Sequence, residues 1–184
     1  MATRPQGGTI VVWRVLWAAL LASQLVYLML LTLPGLVAVP AAPPDPQLPL
    51  VLAGAAAVIA VVSFVLPARL RAASMARVAL ATERRPDPSA RGAFREAVPT
   101  HELADPEAMR RAALLAGFVP FVLSLALSES VSVLGLVLGF LGHEPLVWAP
   151  LIATGMLLTM ARFPSEQRLV EALARAKGLS APAL

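Results

Sequence analysis

A chain of 184 residues in which 58% are hydrophobic and only 14% are charged is too apolar for a soluble domain of this size. Its formal charge of +4 is carried at the flanks of apolar segments and not in a patch interleaved with aromatic residues, which favours topology determinants over a nucleic-acid interface. Cysteine is absent, and this excludes disulfides, thiolate metal sites and cysteine nucleophiles. The composition therefore predicts an integral membrane protein.

Four predominantly apolar stretches predict membrane-spanning helices. They cover residues 13–33, 50–66, 112–141 and 146–162. In the first helix, Trp13 and Trp17 are expected in the headgroup zone, which indole rings favour. A signal peptide cleaved near Ala38 is the alternative reading of this first segment. The second helix is expected to end at Pro67, because proline cannot donate a helical hydrogen bond.

A loop at residues 67–111 separates the second and third predicted spans. Its first part is helical by propensity, and the following sequence PDPSARGAFREAVPT carries turn formers. The third helix is expected to begin at Pro106, with Asp105 as its N-cap. After the fourth span, residues 163–184 form a tail in which a short amphipathic helix is closed by Gly178.

In this four-helix topology, the fifteen lysine and arginine residues all lie on one side of the membrane. Two precede or begin the first segment, nine lie between the second and third, and four follow the fourth. Because cytoplasmic flanks retain basic residues, both termini and the middle loop are expected in the cytoplasm. The fold class predicted is an all-α, four-helix membrane bundle. The abundance of alanine, leucine and arginine favours the inner membrane of a bacterium with a GC-rich genome.

Two matching motifs suggest that the bundle consists of two helical hairpins in direct repeat. PLVLA from Pro49 and PLVWA from Pro145 each begin the second helix of a hairpin. The number of residues from the start of the motif to the proline that ends the helix, Pro67 or Pro164, is almost the same in both. A repeat about an axis along the membrane normal would follow. Chance similarity between helices rich in leucine and alanine is the alternative.

Glu129 is the residue that most needs an explanation, because a carboxyl group within a spanning helix costs about 2.5 to 3.5 kcal/mol. It lies about 27 Å along the helix from Arg111 and about 21 Å from His143, well inside the hydrocarbon. Beside it runs a seam of small residues suited to close helix packing. The seam comprises Ser124, Ser128, Ser132, Gly135, Gly139 and Gly142. The carboxyl group should therefore face protein.

Two interpretations of this buried polar group remain open. The first is structural, with Glu129 hydrogen bonded to polar side chains of other helices and joining helices one and three. Its candidate partners are Ser23, Gln24, Ser63 and Thr154. The second is a site for a proton or cation whose occupancy changes during transport. The residues expected to form the polar group or ion site are Glu129, Gln24, Ser128, Ser132 and Tyr27.

The segment ALSESVSVLGLVLGFL, Ala126 to Leu141, resembles the proteolipid rotor subunits of rotary ATPases. In that family a membrane helix carries a glutamate shortly before a Gly-Leu-Val run, and the resemblance implies ion binding by Glu129. The family's acid lies on the second helix of a hairpin, whereas Glu129 lies on the first of its own. The whole arrangement also resembles small bacterial four-helix membrane proteins of uncharacterised activity, with Trp17, Ser23 and Tyr27 in helix one.

No motif in the chain predicts an enzyme. His101 and His143 fall on opposite faces of the predicted bilayer, so they cannot share a metal site or a catalytic dyad. The glycines match neither a phosphate loop nor a dinucleotide fingerprint, and no cofactor is expected. The expected role is a noncatalytic scaffold or accessory subunit that contacts the lipid bilayer and associates with itself or with a membrane complex. The alternative is a proton- or cation-coupled transport component.

Overall fold

The computed structural model describes residues 8–33, 45–79, 82–85, 100–103 and 106–178. Within them the chain forms five helices and one antiparallel pair of short strands. The elements are α1 (Gly8–Thr32), α2 (Leu48–Arg77), β1 (Thr82–Arg85), β2 (Thr100–Leu103), α3 (Pro106–Phe140), α4 (Pro145–Met160) and α5 (Glu166–Lys177). The cleavage position considered at Ala38 and the predicted Asp105 cap lie outside the described residues.

Three helices in the described part of the chain are long and apolar enough to cross a membrane. They are α1 from Ile10, α2, and α3 from Glu107. At 1.5 Å per residue, the 30 residues of α2 extend about 45 Å, which exceeds the ~30 Å of bilayer hydrocarbon. The fourth predicted span, α4, is equally apolar but has 16 residues and extends only about 24 Å. Membrane character thus rests on the three longer helices.

The segment after Pro67 differs from the sequence prediction in two ways. Pro67 does not end α2, which continues to Arg77. Further on, residues 82–85 form β1, where propensity had favoured helix, and they pair with β2 so that Thr82 lies opposite Leu103. Proline has no N–H, so it leaves one carbonyl oxygen of the helix without its backbone donor. The helix tolerates Pro67 because a side chain from another segment donates a hydrogen bond to that oxygen, as described below. The chain is helical in its main elements, with this ribbon as an addition.

The chain divides into two compact units. Unit 1 comprises residues Met1–Arg69 and Val119–Pro164, and unit 2 comprises Leu70–Phe118 and Ser165–Leu184. In unit 2, the amphipathic helix α5 buries an apolar face that includes Leu169 and Leu173.

Two polar contacts fix α5 at its ends. Glu166 forms an ion pair with Arg110 of α3, and Lys177 donates a hydrogen bond to the carbonyl oxygen of Ala76 in the last turn of α2. Gly178 then ends α5 with φ of 66°, a left-handed conformation that glycine adopts without strain.

In unit 1, α1 packs along α3 and α4. Trp13 stacks on Phe121 with ring centroids 4.5 Å apart, and Leu31 contacts Gly139 near the far end. These contacts advance together along both helices, so α1 and α3 run parallel. Trp13 is fully buried, and its depth in the headgroup zone stays a prediction.

The opposite end of unit 1 is closed by a cluster of Leu138, Trp148 and Ile152. Leu48 and Leu52 of α2 pack against this cluster. Most other side chains of α2 stay exposed, including large apolar ones such as Val58, Val61 and Phe64. Exposed apolar surface of this kind is what lipid or another transmembrane helix covers in a membrane.

Candidate functional site

Glu129 lies on α3 with two hydroxyl donors of α1 beside it. Its Oε1 accepts hydrogen bonds from Ser23 Oγ at 2.8 Å and from Tyr27 Oη at 2.9 Å. Ser23 and Tyr27 are four residues apart, so both project from one face of α1. Ser23 Oγ also lies 2.8 Å from the carbonyl oxygen of Leu20, and its single proton is therefore shared between two acceptors. The carboxyl group thus joins α3 to α1 mainly through Tyr27, with Ser23 as a second contact.

Gln24 faces α4 and not Glu129. Its side chain is fully buried, and Nε2 donates to Thr159 Oγ1 at 2.9 Å. Thr159 is also held by Trp17, whose Nε1 donates to its carbonyl oxygen at 2.8 Å. Gln24 Oε1 has no hydrogen-bond partner among the described residues, although it is shielded from solvent. Ser23, which contacts Glu129, and Gln24, which contacts Thr159, are consecutive residues and therefore project about 100° apart around α1.

The small residues of the seam lie where α3 meets its neighbours. Ser128 and Ser132 are fully buried, and their hydroxyls donate to backbone carbonyls, Ser128 to Ser124 at 2.8 Å and Ser132 to Ile152 at 3.3 Å. These serines therefore lie near Glu129 along α3, but their hydroxyls donate hydrogen bonds to backbone carbonyls and not to its carboxyl group. Their contribution is to keep polar atoms paired where two helices approach closely.

Three glycines show how close that approach is. A Cβ added at Gly135 would stand 2.9 Å from the carbonyl oxygen of Trp148, and one at Gly139 would meet the side chain of Leu31. Gly155 of α4, which the sequence reading did not single out, faces Ser132 and would place a Cβ 2.8 Å from the carbonyl oxygen of Ser128. Gly142, the last member of the seam, lies in the turn after α3 with φ of 83°.

Arg162 makes polar contacts that the sequence analysis did not single out. Its guanidinium donates to the carbonyl oxygen of Ser124 at 2.8 Å, and to the carbonyl oxygen and hydroxyl of Ser63 at 3.0 and 2.7 Å. Its Cζ also lies 5.0 Å from the ring centroid of Phe64. Arg162 therefore connects α2 and α3 with the segment that follows α4.

Pro67 explains why the Ser63 carbonyl is open to Arg162. In a regular helix the N–H four residues later would bond this oxygen, but Pro67 has no N–H. A guanidinium supplies several donors in a rigid fork and can satisfy carbonyls of two helices together. A proline inside an apolar helix, with an arginine at the end of another apolar segment, was the signal available in the sequence.

The remaining sequence candidates lie apart from Glu129. Thr154 donates to the Pro150 carbonyl of its own helix at 2.7 Å, and Ser63 Oγ to that of Ala60 at 2.6 Å. In the part of the chain that the structure describes, no group of three His, Asp or Glu side chains is arranged as a metal site. The polar residues thus form separate interhelical contacts around Glu129, Gln24 and Arg162.

Long apolar helices joined by buried polar contacts are characteristic of the class of integral membrane proteins. Comparison with protein-family models, with curated proteins and with solved structures gave no significant match to this chain.

Proposed function

We propose that this chain is a noncatalytic protein of a bacterial cytoplasmic membrane, a scaffold or accessory subunit of a larger complex. In this proposal α1 to α4 form a four-helix bundle, with both termini in the cytoplasm. The distribution of basic residues supports that orientation. The bundle's polar side chains serve to align helices, and its exposed apolar faces are available to lipid and to other subunits.

The observation that carries the proposal is the use of Glu129 as a hydrogen-bond acceptor. One oxygen of its carboxyl group receives both Ser23 and Tyr27, and the hydroxyls of the flanking serines on α3 bond backbone. An acceptor held in this way offsets part of the cost of a carboxyl group in lipid. This structural role requires no binding or release of a proton or cation by Glu129.

Glu129→Gln tests this role, because the amide keeps an oxygen at the place of Oε1. We expect the variant to retain its fold and its associations, with a free energy of unfolding within about 1 kcal/mol of the parent. Glu129→Leu is the matched control, since it removes the acceptor and should cost about 0.6 to 2 kcal/mol for each bond lost. Equal, large losses in both variants would contradict the acceptor role, because Glu129→Gln keeps an acceptor oxygen and Glu129→Leu does not.

A proton- or cation-coupled transport component is the second candidate. The observation in its favour is Gln24 Oε1, a fully buried acceptor without a hydrogen-bond partner among the described residues. Unpaired buried acceptors call for a donor or a cation. In this case Gln24→Leu and Glu129→Gln should each abolish ion flux in reconstituted vesicles while the protein stays folded. Flux that survives in Gln24→Leu would remove the support that Gln24 gives to transport, and flux that survives in Glu129→Gln would exclude coupling through Glu129.

Association with a partner or with a second copy is part of the proposal. On the exposed side of α2, a Cβ added at Gly54 would meet nothing within 4 Å, and Ala53 and Ala57 are exposed beside it. Small residues let another helix approach closely. Gly54→Leu should therefore weaken self-association measured by energy transfer between labelled copies in bilayers, while leaving the monomer's stability unchanged. Unaltered association would exclude this face of α2.

A further inference from the structure

The second carboxyl oxygen of Glu129, Oε2, has no hydrogen-bond donor among the described residues. Both donors of α1, Ser23 and Tyr27, bond Oε1. Glu129 is only half-buried, and Oε2 is not one of the unpaired polar atoms that the protein shields from its surroundings, in contrast to Gln24 Oε1. Oε2 therefore lies at the outer surface of unit 1, beside the line where α1 meets α3.

Small, exposed side chains flank the Glu129 carboxyl group on both helices. On α1, Ala19 lies one turn before Ser23 and is exposed. On α3, the exposed residues Ala126 and Val133 lie about one turn before and after Glu129. Residues three or four apart share a helix face, so Ala19, Ala126 and Glu129 form one surface, which we call the Glu129 patch. Small residues of this kind let another helix approach closely.

Lipid supplies no hydrogen-bond partner for Oε2. Glu129 lies inside the apolar stretch of α3 that is long enough to cross a membrane, and an unpaired polar atom in hydrocarbon is costly. The neighbouring polar groups are engaged elsewhere. Ser130 Oγ donates to the carbonyl oxygen of Ala126 at 2.9 Å, and Gln24 Nε2 donates to Thr159. No described residue is placed to supply the partner, which leaves a second molecule as its source.

The chemistry of the patch favours a carboxamide side chain on a transmembrane helix. A metal cation takes several oxygen ligands, and Oε2 is a single acceptor. A lysine or arginine reaches its acceptor through a long side chain and gains little from the small residues Ala19 and Ala126. Asparagine and glutamine are shorter and require close approach. Their amide both donates and accepts, so it pairs with a carboxyl oxygen whether that group is protonated or ionised.

We propose that the Glu129 patch binds a transmembrane helix of another subunit through an asparagine or glutamine side chain at the depth of Glu129. The amide N–H donates to Oε2 while Ser23 and Tyr27 remain bonded to Oε1, so the contact between α1 and α3 is unchanged. This inference rests on the proposed role as an accessory subunit and gives the chemistry of the partner.

The test measures energy transfer between the labelled full chain and labelled transmembrane peptides in phosphatidylcholine bilayers. The peptides are leucine–alanine helices that differ only at the central residue, which is asparagine, lysine or leucine. We expect the asparagine peptide to bind the parent chain about threefold to thirtyfold more tightly than the leucine peptide, the range for one hydrogen bond between helices in lipid. The preference should persist in Glu129→Gln, because two amides also pair.

Ala126→Leu is the decisive variant, because it fills the patch at an exposed position and removes no contact of Glu129 with α1. It should abolish the preference for the asparagine peptide. Ala153→Leu, the same change at an exposed alanine of α4, is the matched control and should retain it. Glu129→Leu should also abolish the preference, and circular dichroism of every variant establishes that its helices are intact.

Three outcomes would overturn the site. The first is equal binding of the asparagine and leucine peptides by the parent chain, and the second is a preference that survives in Ala126→Leu. The third is tighter binding of the lysine peptide than of the asparagine peptide, which would assign the patch to a basic partner. Failure of the proposed function looks different, because ion flux through vesicles of the chain alone, abolished in Glu129→Gln, would contradict the scaffold role whether or not a peptide binds.

Discussion

Gly155→Ala adds a single methyl group at a close contact between α3 and α4. The added Cβ would stand 2.8 Å from the carbonyl oxygen of Ser128 and 3.0 Å from the backbone nitrogen of Ser132, and would collide with the Ser132 hydroxyl. Backbone atoms of a packed helix cannot rotate away. The Ser132 hydroxyl would have to turn and give up its hydrogen bond to the Ile152 carbonyl, now at 3.3 Å.

The net change in the free energy of unfolding combines one stabilising contribution with two destabilising ones. Alanine is favoured over glycine inside a helix by about 1 kcal/mol. Overpacking costs about 1 to 3 kcal/mol, and the hydrogen bond lost by Ser132 costs about 0.6 kcal/mol or more. The sum predicts that Gly155→Ala lowers the free energy of unfolding by about 0.6 to 2.6 kcal/mol.

Gly54→Ala is the matched control, because a Cβ there meets nothing within 4 Å. It should leave stability unchanged or raise it by up to about 1 kcal/mol. The assay is unfolding of the purified chain in mixed micelles by increasing mole fraction of dodecyl sulfate, followed by circular dichroism. If Gly155→Ala is as stable as Gly54→Ala, the close packing of α3 on α4 is refuted.

Two further predictions concern Arg162 and Glu166. Arg162→Met should cost about 1 to 3 kcal/mol because the Ser63 carbonyl loses its donor, and the cost should fall in a Pro67→Ala background, where an N–H becomes available. The same micelle titration measures both, and an identical cost in the two backgrounds would contradict the role given to Pro67. Glu166→Gln should lower stability by roughly 0.2 to 1 kcal/mol at low salt, since it breaks the ion pair with Arg110. The loss should shrink in about 1 M salt, where the Debye length is near 3 Å, and a loss independent of salt would count against the ion pair.

The helical content and the long apolar helices could be predicted from the sequence, because insertion into lipid is decided by composition over about twenty residues. Glu129 could also be singled out, since the cost of a carboxyl group in hydrocarbon marks any such residue. Its partners were harder to choose. Ser23 and Gln24 are neighbours in sequence, but they project about 100° apart on α1 and contact different helices.

The contacts of Arg162 and Gly155 could not be predicted from local patterns. Pro67 looked like a helix end, because its missing N–H is a local property and the compensating guanidinium is 95 residues away in sequence. Gly155 lies in a helix that is apolar on all sides, so no periodicity identifies the face that α3 approaches. The strand pair depends on residues 82–85 and 100–103 meeting across a long loop, which propensity alone does not encode.

The most direct test of the central claim, that Glu129 acts as an interhelical acceptor, is a double-mutant cycle between Tyr27→Phe and Glu129→Leu. Free energies of unfolding of the parent, both single variants and the double variant are measured in the same micelles. A hydrogen bond between Tyr27 and Glu129 predicts a coupling of about 0.6 to 2 kcal/mol. Effects that add to within about 0.3 kcal/mol would contradict the account, because residues that do not interact show additivity of this kind.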